Sequence, residues 1–234
     1  MISESPRDRR RARTRQRILE VTLIRAAEAG IDGLTMASIG RLVDLTPAAL
    51  YRYFPNKGAL LAAAIAEVLR GQRAVAHRLS LLARDGNRSD PLLAVMAVVE
   101  VQISLARDQP EAFALMSVML ADPRQLVDDP AHAAHVPELV SLLVELRAMV
   151  EDAVAMGQLR PGSSQDRATT LIFAVVGLLH LRKLQRFRPS LEPEVLARRA
   201  AADLLRGWGA TDEGLQIRAA RAQRLAQQSI EEAR

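Results

Sequence analysis

Three of the chain's seven aromatic residues stand within four consecutive positions, Tyr51, Tyr53 and Phe54, in the stretch TPAALYRYFPNKGALL. Arg52 lies among them and Lys57 follows. Tyrosine hydroxyls and the cationic groups of arginine and lysine bind phosphate oxygens, while small residues such as alanine let a helix approach base edges. The mixture therefore indicates contact with a nucleic acid. The alternative interpretation is that these aromatics are core residues of a small domain, and Phe54 is a core residue on either interpretation.

The residues around this cluster predict two short helices joined by a tight turn. Thr35 can cap a helix over MASIGRLV. Thr46 can cap a second helix with Pro47 in its first position, where a missing N–H costs nothing. This second helix must end by Phe54, because Pro55 disfavours helical backbone at the residue before it. Asn56 can then cap a new helix that starts at Lys57. Two such helices form a helix-turn-helix, whose second helix enters the major groove of DNA.

The spacing within the second helix separates a buried side from an exposed one. Leu50 and Phe54 are four residues apart, so both are expected to face the core of the domain. Ala48, Arg52 and, at the side, Tyr51 are then expected to face outward. The outward side is the predicted docking surface.

The excess positive charge is concentrated at the N-terminus. Residues 1–60 carry eleven basic and six acidic side chains, which accounts for the whole formal charge of +5 of the 234-residue chain. Seven arginines fall between Arg7 and Arg17. We expect this basic arm to contact nucleic acid, in a minor groove, and the alternative is a disordered solubilising tail. Charge alone also permits an anionic membrane surface as the partner.

The whole chain is predicted to be all-α and soluble. No segment alternates at the period of a β-strand over more than a few residues, and there is no internal repeat. The segment after Gly209 is either a surface helix or a frayed end. Helices are predicted over residues 7–29, 36–43, 47 to 53, 57–83, 91–107, 110–120, 137–156, 166–187 and 194–208.

Several functions are excluded by what the sequence lacks. The chain has no cysteine, which removes disulfides, zinc–thiolate sites and cysteine nucleophiles. It has no GxSxG, P-loop, Rossmann or HExxH motif, so we expect neither an enzyme nor a cofactor. The longest apolar run, residues 168–181, is too short to span a membrane, and the charged N-terminus is unlike a signal peptide. A cytoplasmic location is expected.

One cluster has spacing that a metal site can use, but it does not lead to a metal prediction. The stretch VDDPAHAAHV contains Asp128, Asp129, His132 and His135. Because no matching set of ligands stands elsewhere, a solvated loop is the preferred interpretation.

The segment from Arg17 to Leu61, RILEVTLIRAAEAGIDGLTMASIGRLVDLTPAALYRYFPNKGALL, resembles the N-terminal DNA-binding domain of the TetR family of bacterial transcriptional regulators. The resemblance is carried by ordered landmarks, with Asp44 standing where a turn glycine is common. These landmarks are Gly30, Thr35, Ile39, Thr46, Leu50, Tyr51, Phe54 and Lys57.

The resemblance implies roles for individual residues. Those that match phosphate-holding positions are Thr35, Thr46, Tyr51, Tyr53 and Lys57, with Arg41 as a weaker candidate. Those in the base-facing region are Pro47, Ala48, Ala49 and Arg52.

The resemblance also implies a division of the chain. A basic arm (1–16) precedes a three-helix helix-turn-helix domain (17–61), followed by a larger helical domain for ligand binding and dimerisation (62–209) and a tail (210–234). Helices 166–187 and 194–208 are expected to pair across the two-fold axis of a homodimer. An apolar effector pocket is expected to draw on Met96, Phe113, Met116, Met119, Met149 and Phe173.

The leading hypothesis is a homodimeric regulator of double-stranded operator DNA, in the form of a repressor released by a small molecule. An architectural DNA-binding protein without a ligand is the second hypothesis. The third is an all-helical enzyme with a basic arm on a membrane surface.

Overall fold

The computed structural model describes residues 5–84, 89–121, 136–185 and 187–232. Every regular element in these ranges is a helix, which confirms the predicted all-α class. The cluster of Asp128, Asp129, His132 and His135 lies outside the described residues, as does the side chain of Met119. The helices are α1 (Pro6–Gly33), α2 (Met36–Leu42), α3 (Pro47–Tyr51), α4 (Lys57–Ala83), α5 (Pro91–Asp108), α6 (Pro110–Ala121), α7 (Val136–Ala155), α8 (Ser164–Leu179), α9 (Pro193–Gly207) and α10 (Asp212–Glu231).

The chain forms two compact units. The N-terminal unit comprises Met1–Val68 and Gln109–Pro137, and the C-terminal unit comprises Leu69–Asp108 and Glu138–Arg234. The division falls inside α4, beyond the boundary expected from the sequence at residue 61. The N-terminal unit also includes α6, because that helix packs against α1.

The N-terminal unit is built on inward-facing residues at helical spacing. On α1, the inward stripe of Ile18, Leu19, Thr22 and Ala26 is buried. Thr22 is satisfied in that position because its hydroxyl donates to the carbonyl oxygen of Ile18 at 2.7 Å. Each large aliphatic side chain buried here contributes roughly 1.5–3 kcal/mol to folding. The core of the small DNA-binding domain is completed by Leu34, Met36, Ile39, Val43, Leu50, Phe54, Leu60 and Leu61.

The turn between α2 and α3 needs a close backbone approach and a left-handed residue. The N–H of Leu45 donates to the carbonyl oxygen of Gly40 at 2.9 Å. A Cβ atom on Gly40 would lie 2.8 Å from the carbonyl oxygen of Leu45, so no larger residue fits without moving the backbone. Asp44 has a φ of 57°, a conformation that aspartate adopts more readily than most residues. Asp44 therefore replaces the turn glycine by taking the glycine-like conformation.

The C-terminal unit is arranged around α5. This helix is buried on nearly all sides, with fourteen buried residues from Pro91 to Ala106. Helices α8, α9 and α10 all pack against it, and α9 also packs against α8. A helix buried all round must satisfy any polar side chain within the protein, and Gln102 does so by donating to the side-chain oxygen of Gln72 at 3.0 Å.

The helix predicted over residues 166–187 is shorter in the structure. Helix α8 ends at Leu179, and a 3-10 helix, His180–Leu184, follows it. His180 contributes to this ending, because its Nδ1 donates to the carbonyl oxygen of Val176 at 2.8 Å. The apolar periodicity continues through the change of helix type, so periodicity alone did not reveal it.

The tail beyond Gly209 is an ordered part of the C-terminal unit. Thr211 caps α10, its hydroxyl accepting from the N–H of Gly214 at 3.1 Å. A half-buried ion pair fastens this helix to the start of α5: Arg218 Nε donates to the two carboxylate oxygens of Asp90 at 2.8 and 3.0 Å. The buried face of α10 consists of Leu215, Ala222, Ala226 and Ser229. The tail is therefore a packed helix, which is one of the two alternatives left open by the sequence.

Candidate nucleic-acid interface

The second helix of the motif, α3, has the buried and exposed sides that its sequence predicts. Leu50 is fully buried and Phe54 is 3% exposed. Tyr51 is 50% exposed, and Ala48 and Arg52 are exposed as well. Buried Leu50 and Phe54 fix the orientation of the helix on the domain, so the other side of the helix is available to a partner. We call this exposed side the docking surface.

The two threonines predicted to hold phosphates also cap the helices of the motif. Thr46 Oγ1 accepts from the N–H of Ala49 at 3.2 Å. Thr35 Oγ1 accepts from the N–H of Ser38 at 3.1 Å, and Ser38 Oγ accepts in return from the N–H of Thr35 at 3.1 Å. Because a hydroxyl that accepts in this way still has its own hydrogen, both exposed threonines remain able to donate to a phosphate oxygen.

Lys57 is the first residue of α4, a helix of 27 residues. Asn56 caps this helix, as predicted, its Oδ1 accepting from the N–H of Ala59 at 2.7 Å. The N-terminus of a helix carries partial positive charge, which adds to the ammonium charge of Lys57. This position therefore favours an anion.

The basic arm is helical in the structure from Pro6 onward, where it forms the first turns of α1. This agrees with the helix predicted over residues 7–29 and not with a disordered tail, while contact of the arm with nucleic acid stays a prediction. Two of its arginines, four residues apart and so on one side of the helix, contact the aromatic cluster. The guanidinium carbon of Arg11 lies 5.9 Å from the ring centre of Tyr53, and that of Arg15 lies 5.4 Å from the ring centre of Phe54. These cation–π contacts fasten the arm to the two aromatic residues that follow α3.

The positive charge on this part of the unit is largely uncompensated. Within the described part of the chain, Arg41, Arg52 and Lys57 have no ion pair. Arg17 lies 3.7 Å from the carboxylate of Asp44, but both side chains are well exposed, so this pair contributes little. A surface with unpaired cations, exposed hydroxyls and small residues is suited to a phosphodiester backbone.

The residues proposed for the effector pocket fall in different surroundings. Phe113 and Met116 are buried in α6, within the N-terminal unit, and Met149 is buried in α7. Phe173 is 44% exposed on α8. Met96 alone of these five lines a cavity of about 420 Å³, which is enclosed by α5, α9 and α10. The cavity was not anticipated from the sequence, because two of its walls come from α9 and from the segment treated as a tail.

Some structural roles in the interface were missed by sequence reasoning. The sequence did indicate that Arg11 and Arg15 could contact the same partner, since residues four apart share one side of a helix. Ser38 had a weaker signal, a hydroxyl three residues after the capping Thr35. Nothing in the sequence indicated the constraint on Gly40, because this constraint depends on where the backbone of Leu45 passes.

The described residues contain neither a candidate membrane span nor a candidate metal site. Across these ranges, no helix combines the length and the apolar character that crossing a bilayer requires. The same ranges contain no cluster of three or more histidine, aspartate or glutamate side chains able to hold a metal ion.

The fold and the docking surface define the class of protein: an all-helical protein with an N-terminal helix-turn-helix DNA-binding domain. Residues 18–64 match the family described as bacterial regulatory proteins, tetR family. The N-terminal domain is therefore that of the tetR family of bacterial regulatory proteins.

Two named regulators are similar to this chain, one over a short segment and the other over about two thirds of its length. The chain is 40% identical over 52 residues to the HTH-type transcriptional repressor KstR of Rhodococcus jostii, which is 22% of this chain and 24% of that repressor. It is 28% identical over 161 residues to the HTH-type transcriptional regulator RutR of Escherichia coli O157:H7, which is 68% of each chain. The alignment with KstR thus spans about a quarter of that protein. Both relatives are named as transcriptional regulators, in agreement with the expectation that the chain is not an enzyme.

A solved structure supports the fold over most of the chain. The fold is similar to that of SmeT, the repressor of a Stenotrophomonas maltophilia multidrug efflux pump, in a complex with triclosan. The TM-score is 0.65 at 24% identity, covering 85% of this chain and 92% of SmeT. At this identity the likeness concerns the fold.

Proposed function

We propose that the protein binds a specific operator in double-stranded DNA as a homodimer and is released from it when a small molecule binds the C-terminal unit. The observation that carries the proposal is the arrangement of α3, in which Leu50 and Phe54 are buried and Tyr51 and Arg52 are exposed. Repression with ligand release is the mode of action that the name and complex of SmeT suggest for this fold.

Base recognition is expected to depend on Arg52. It is the long hydrogen-bonding side chain on the exposed side of α3, where Pro47 and Ala48 offer only apolar contacts, for example to thymine methyl groups. A guanidinium group can bind guanine through two hydrogen bonds, which is worth about 1–3 kcal/mol of discrimination. The phosphate-binding groups proposed around it, including Tyr51 and Lys57, position the helix without reading the sequence.

Dimerisation is expected to use α8 and the 3-10 helix after it. Apolar side chains remain exposed there, with Phe173 at 44% and Leu184 at 48%. Two recognition helices related by a two-fold axis must fit major grooves about 34 Å apart, so a change in the dimer that alters this spacing weakens binding. A ligand that favours the altered arrangement would release the DNA.

The decisive experiment is selection of bound sequences from a random DNA pool with the wild-type protein and with Arg52→Ala. We expect the wild type to return a palindromic consensus with half-sites one helical turn apart. Arg52→Ala should lose preference at one or two positions in each half-site. Selection of the wild-type consensus by the variant would exclude Arg52 as a base contact. An absence of any consensus with the wild type would favour the architectural alternative.

A further inference from the structure

The cavity enclosed by α5, α9 and α10 has the shape of a cleft between two helices. Helices α9 and α10 both pack against α5, which forms the floor. The lining residues of α9 and α10 recur every three or four positions, from Val195 to Arg206 and from Asp212 to Gln223, so each helix presents one continuous side to the cleft. Eleven residue steps along α9 correspond to a length of about 16 Å.

The cleft is closed at the turn between α9 and α10. Arg206 bridges the turn, because its guanidinium pairs with Asp203 on one side and with Asp212 on the other. The hydrogen bond to Asp212 raises the pKa of Arg206 further above its ordinary value. The turn is also held from outside, since Arg160 donates to the carbonyl oxygen of Gly207 at 2.7 Å.

The walls are mainly aliphatic. Met96 and Val99 from α5, Leu205 from α9 and Leu215 from α10 line the cleft, and none of its described lining residues is aromatic. A cage of rings around a cationic ligand therefore cannot be formed there. The volume of about 420 Å³ lies in the range of small-molecule sites, which is roughly 300–1,000 Å³.

Most of the charges in the walls are already neutralised. Glu100 and Arg198 form a two-bond ion pair, with Nε to Oε1 and Nη2 to Oε2 both at 2.8 Å. The hydrogen bond to Glu100 raises the pKa of Arg198. Asp203 and Asp212 share the single guanidinium group of Arg206, so one net negative charge remains at the closed end of the cleft. Among the described residues that line the cleft, Arg199 is the charged residue that remains without an ion pair.

Arg199 is exposed and lies one helical turn from Val195, toward the end of the cleft remote from the closed turn. A guanidinium group binds a carboxylate through two parallel hydrogen bonds. From this arrangement we propose that the cleft binds an aliphatic carboxylate, with its chain between α9 and α10 and its head group on Arg199. The inference deepens the proposed function, on which it rests for the link between ligand binding and DNA release.

The test is titration of the full-length protein with dodecanoate below its micellar concentration. Binding is monitored by calorimetry and by the fluorescence of Trp208, the only tryptophan of the chain. We expect saturable binding at one molecule per chain, and much weaker binding of dodecanol and dodecylamine. Arg199→Gln should weaken binding about tenfold. Its control, Arg224→Gln, changes an exposed arginine of α10 outside the cleft and should leave the affinity unchanged.

A second pair of variants tests the position of the aliphatic chain. Ala219 is an exposed residue that lines the cleft, while Ala220 is exposed and does not line it. Ala219→Phe should weaken dodecanoate binding at least tenfold and Ala220→Phe should not, with both proteins remaining folded by circular dichroism. Wild-type affinity in Arg199→Gln or in Ala219→Phe would overturn the proposal. So would a change of oligomeric state in Ala219→Phe, because the cleft would then be an interface between copies of the chain.

Operator binding separates this inference from the proposed function. Fluorescence anisotropy of the selected operator, measured with and without dodecanoate, is expected to show release in the wild type but not in Ala219→Phe. Dodecanoate binding at the cleft without any change in operator affinity would retain the site and contradict ligand release. Operator release by another small molecule, with no dodecanoate binding, would retain the proposed function and contradict the site.

Discussion

The carbonyl oxygen of Leu45 lies 2.8 Å from the point where a Cβ atom of Gly40 would stand. The same two residues are joined by the hydrogen bond from the N–H of Leu45 to the carbonyl oxygen of Gly40, at 2.9 Å. The turn of the helix-turn-helix thus requires both the hydrogen bond and the missing side chain. This contact sets how α3 follows α2, and through it the placement of the docking surface.

Gly40→Ala is expected to destabilise the DNA-binding domain by about 1–3 kcal/mol, because the obstructing atom belongs to the backbone and the turn must shift. Operator affinity should fall as well. The matched control is Gly71→Ala, at an exposed helical position in α4 where a Cβ atom would meet nothing within 4 Å. That change should raise stability by roughly 0.5–1 kcal/mol. Urea denaturation of both variants measures the difference, and equal effects would show that the turn tolerates a side chain.

Lys57→Ala is expected to weaken binding to all DNA sequences by a similar factor, because a phosphate contact carries no base information. The plot of log affinity against log salt concentration should become shallower by about one unit. Arg224→Ala, which removes an exposed arginine of α10, is the control and should leave the slope unchanged. Anisotropy titrations at several salt concentrations provide the measurement, and an unaltered slope in Lys57→Ala would remove this residue from the interface.

Asp90→Ala is expected to destabilise the C-terminal unit by about 2–4 kcal/mol, because it leaves the half-buried guanidinium group of Arg218 without its carboxylate. The same carboxylate lies 3.8 Å from Arg221 and accepts from the N–H of Leu93, and both contacts are lost as well. The double variant Asp90→Ala/Arg218→Met should recover part of this loss, since the half-buried charge of Arg218 is then removed too. Glu151→Ala breaks an exposed pair with Arg147 and should change stability by less than about 1 kcal/mol. Thermal and urea unfolding measure all three, and a loss in Asp90→Ala no larger than in Glu151→Ala would show that the pair does not hold α10.

Phe173→Glu is expected to convert the proposed homodimer into a monomer, because it places a charge in the exposed apolar surface of α8. Ile217→Glu is the matched control: it changes another exposed apolar residue, on α10, and should leave the dimer intact. Light scattering after size-exclusion chromatography gives the mass of each species. A dimeric Phe173→Glu, or a monomeric wild type, would contradict dimerisation through α8.

The sequence was sufficient where the determining interactions are local. The caps at Thr35, Thr46 and Asn56 were predicted from single residues, because each binds a backbone N–H three positions along the chain. The burial of Leu50 and Phe54 was predicted from their spacing of four, and it holds although α3 ends at Tyr51, because the N–H of Phe54 still donates to the carbonyl oxygen of Leu50. The all-helical class and the docking surface depend on such short-range relations. They could therefore be derived without knowing how the helices pack.

The tertiary structure decided whatever depends on residues far apart in the chain. Asp90 and Arg218 are separated by 128 positions, and their pairing turns an apparent tail into one wall of a cleft. Arg199 acquires its proposed role because the other two arginines that line the cleft, Arg198 and Arg206, are already paired with carboxylates. Periodicity gives the side of a helix that is buried, but not the helix that buries it. The cleft depends on where two helices diverge over a third, and this is set by packing rather than by any local pattern.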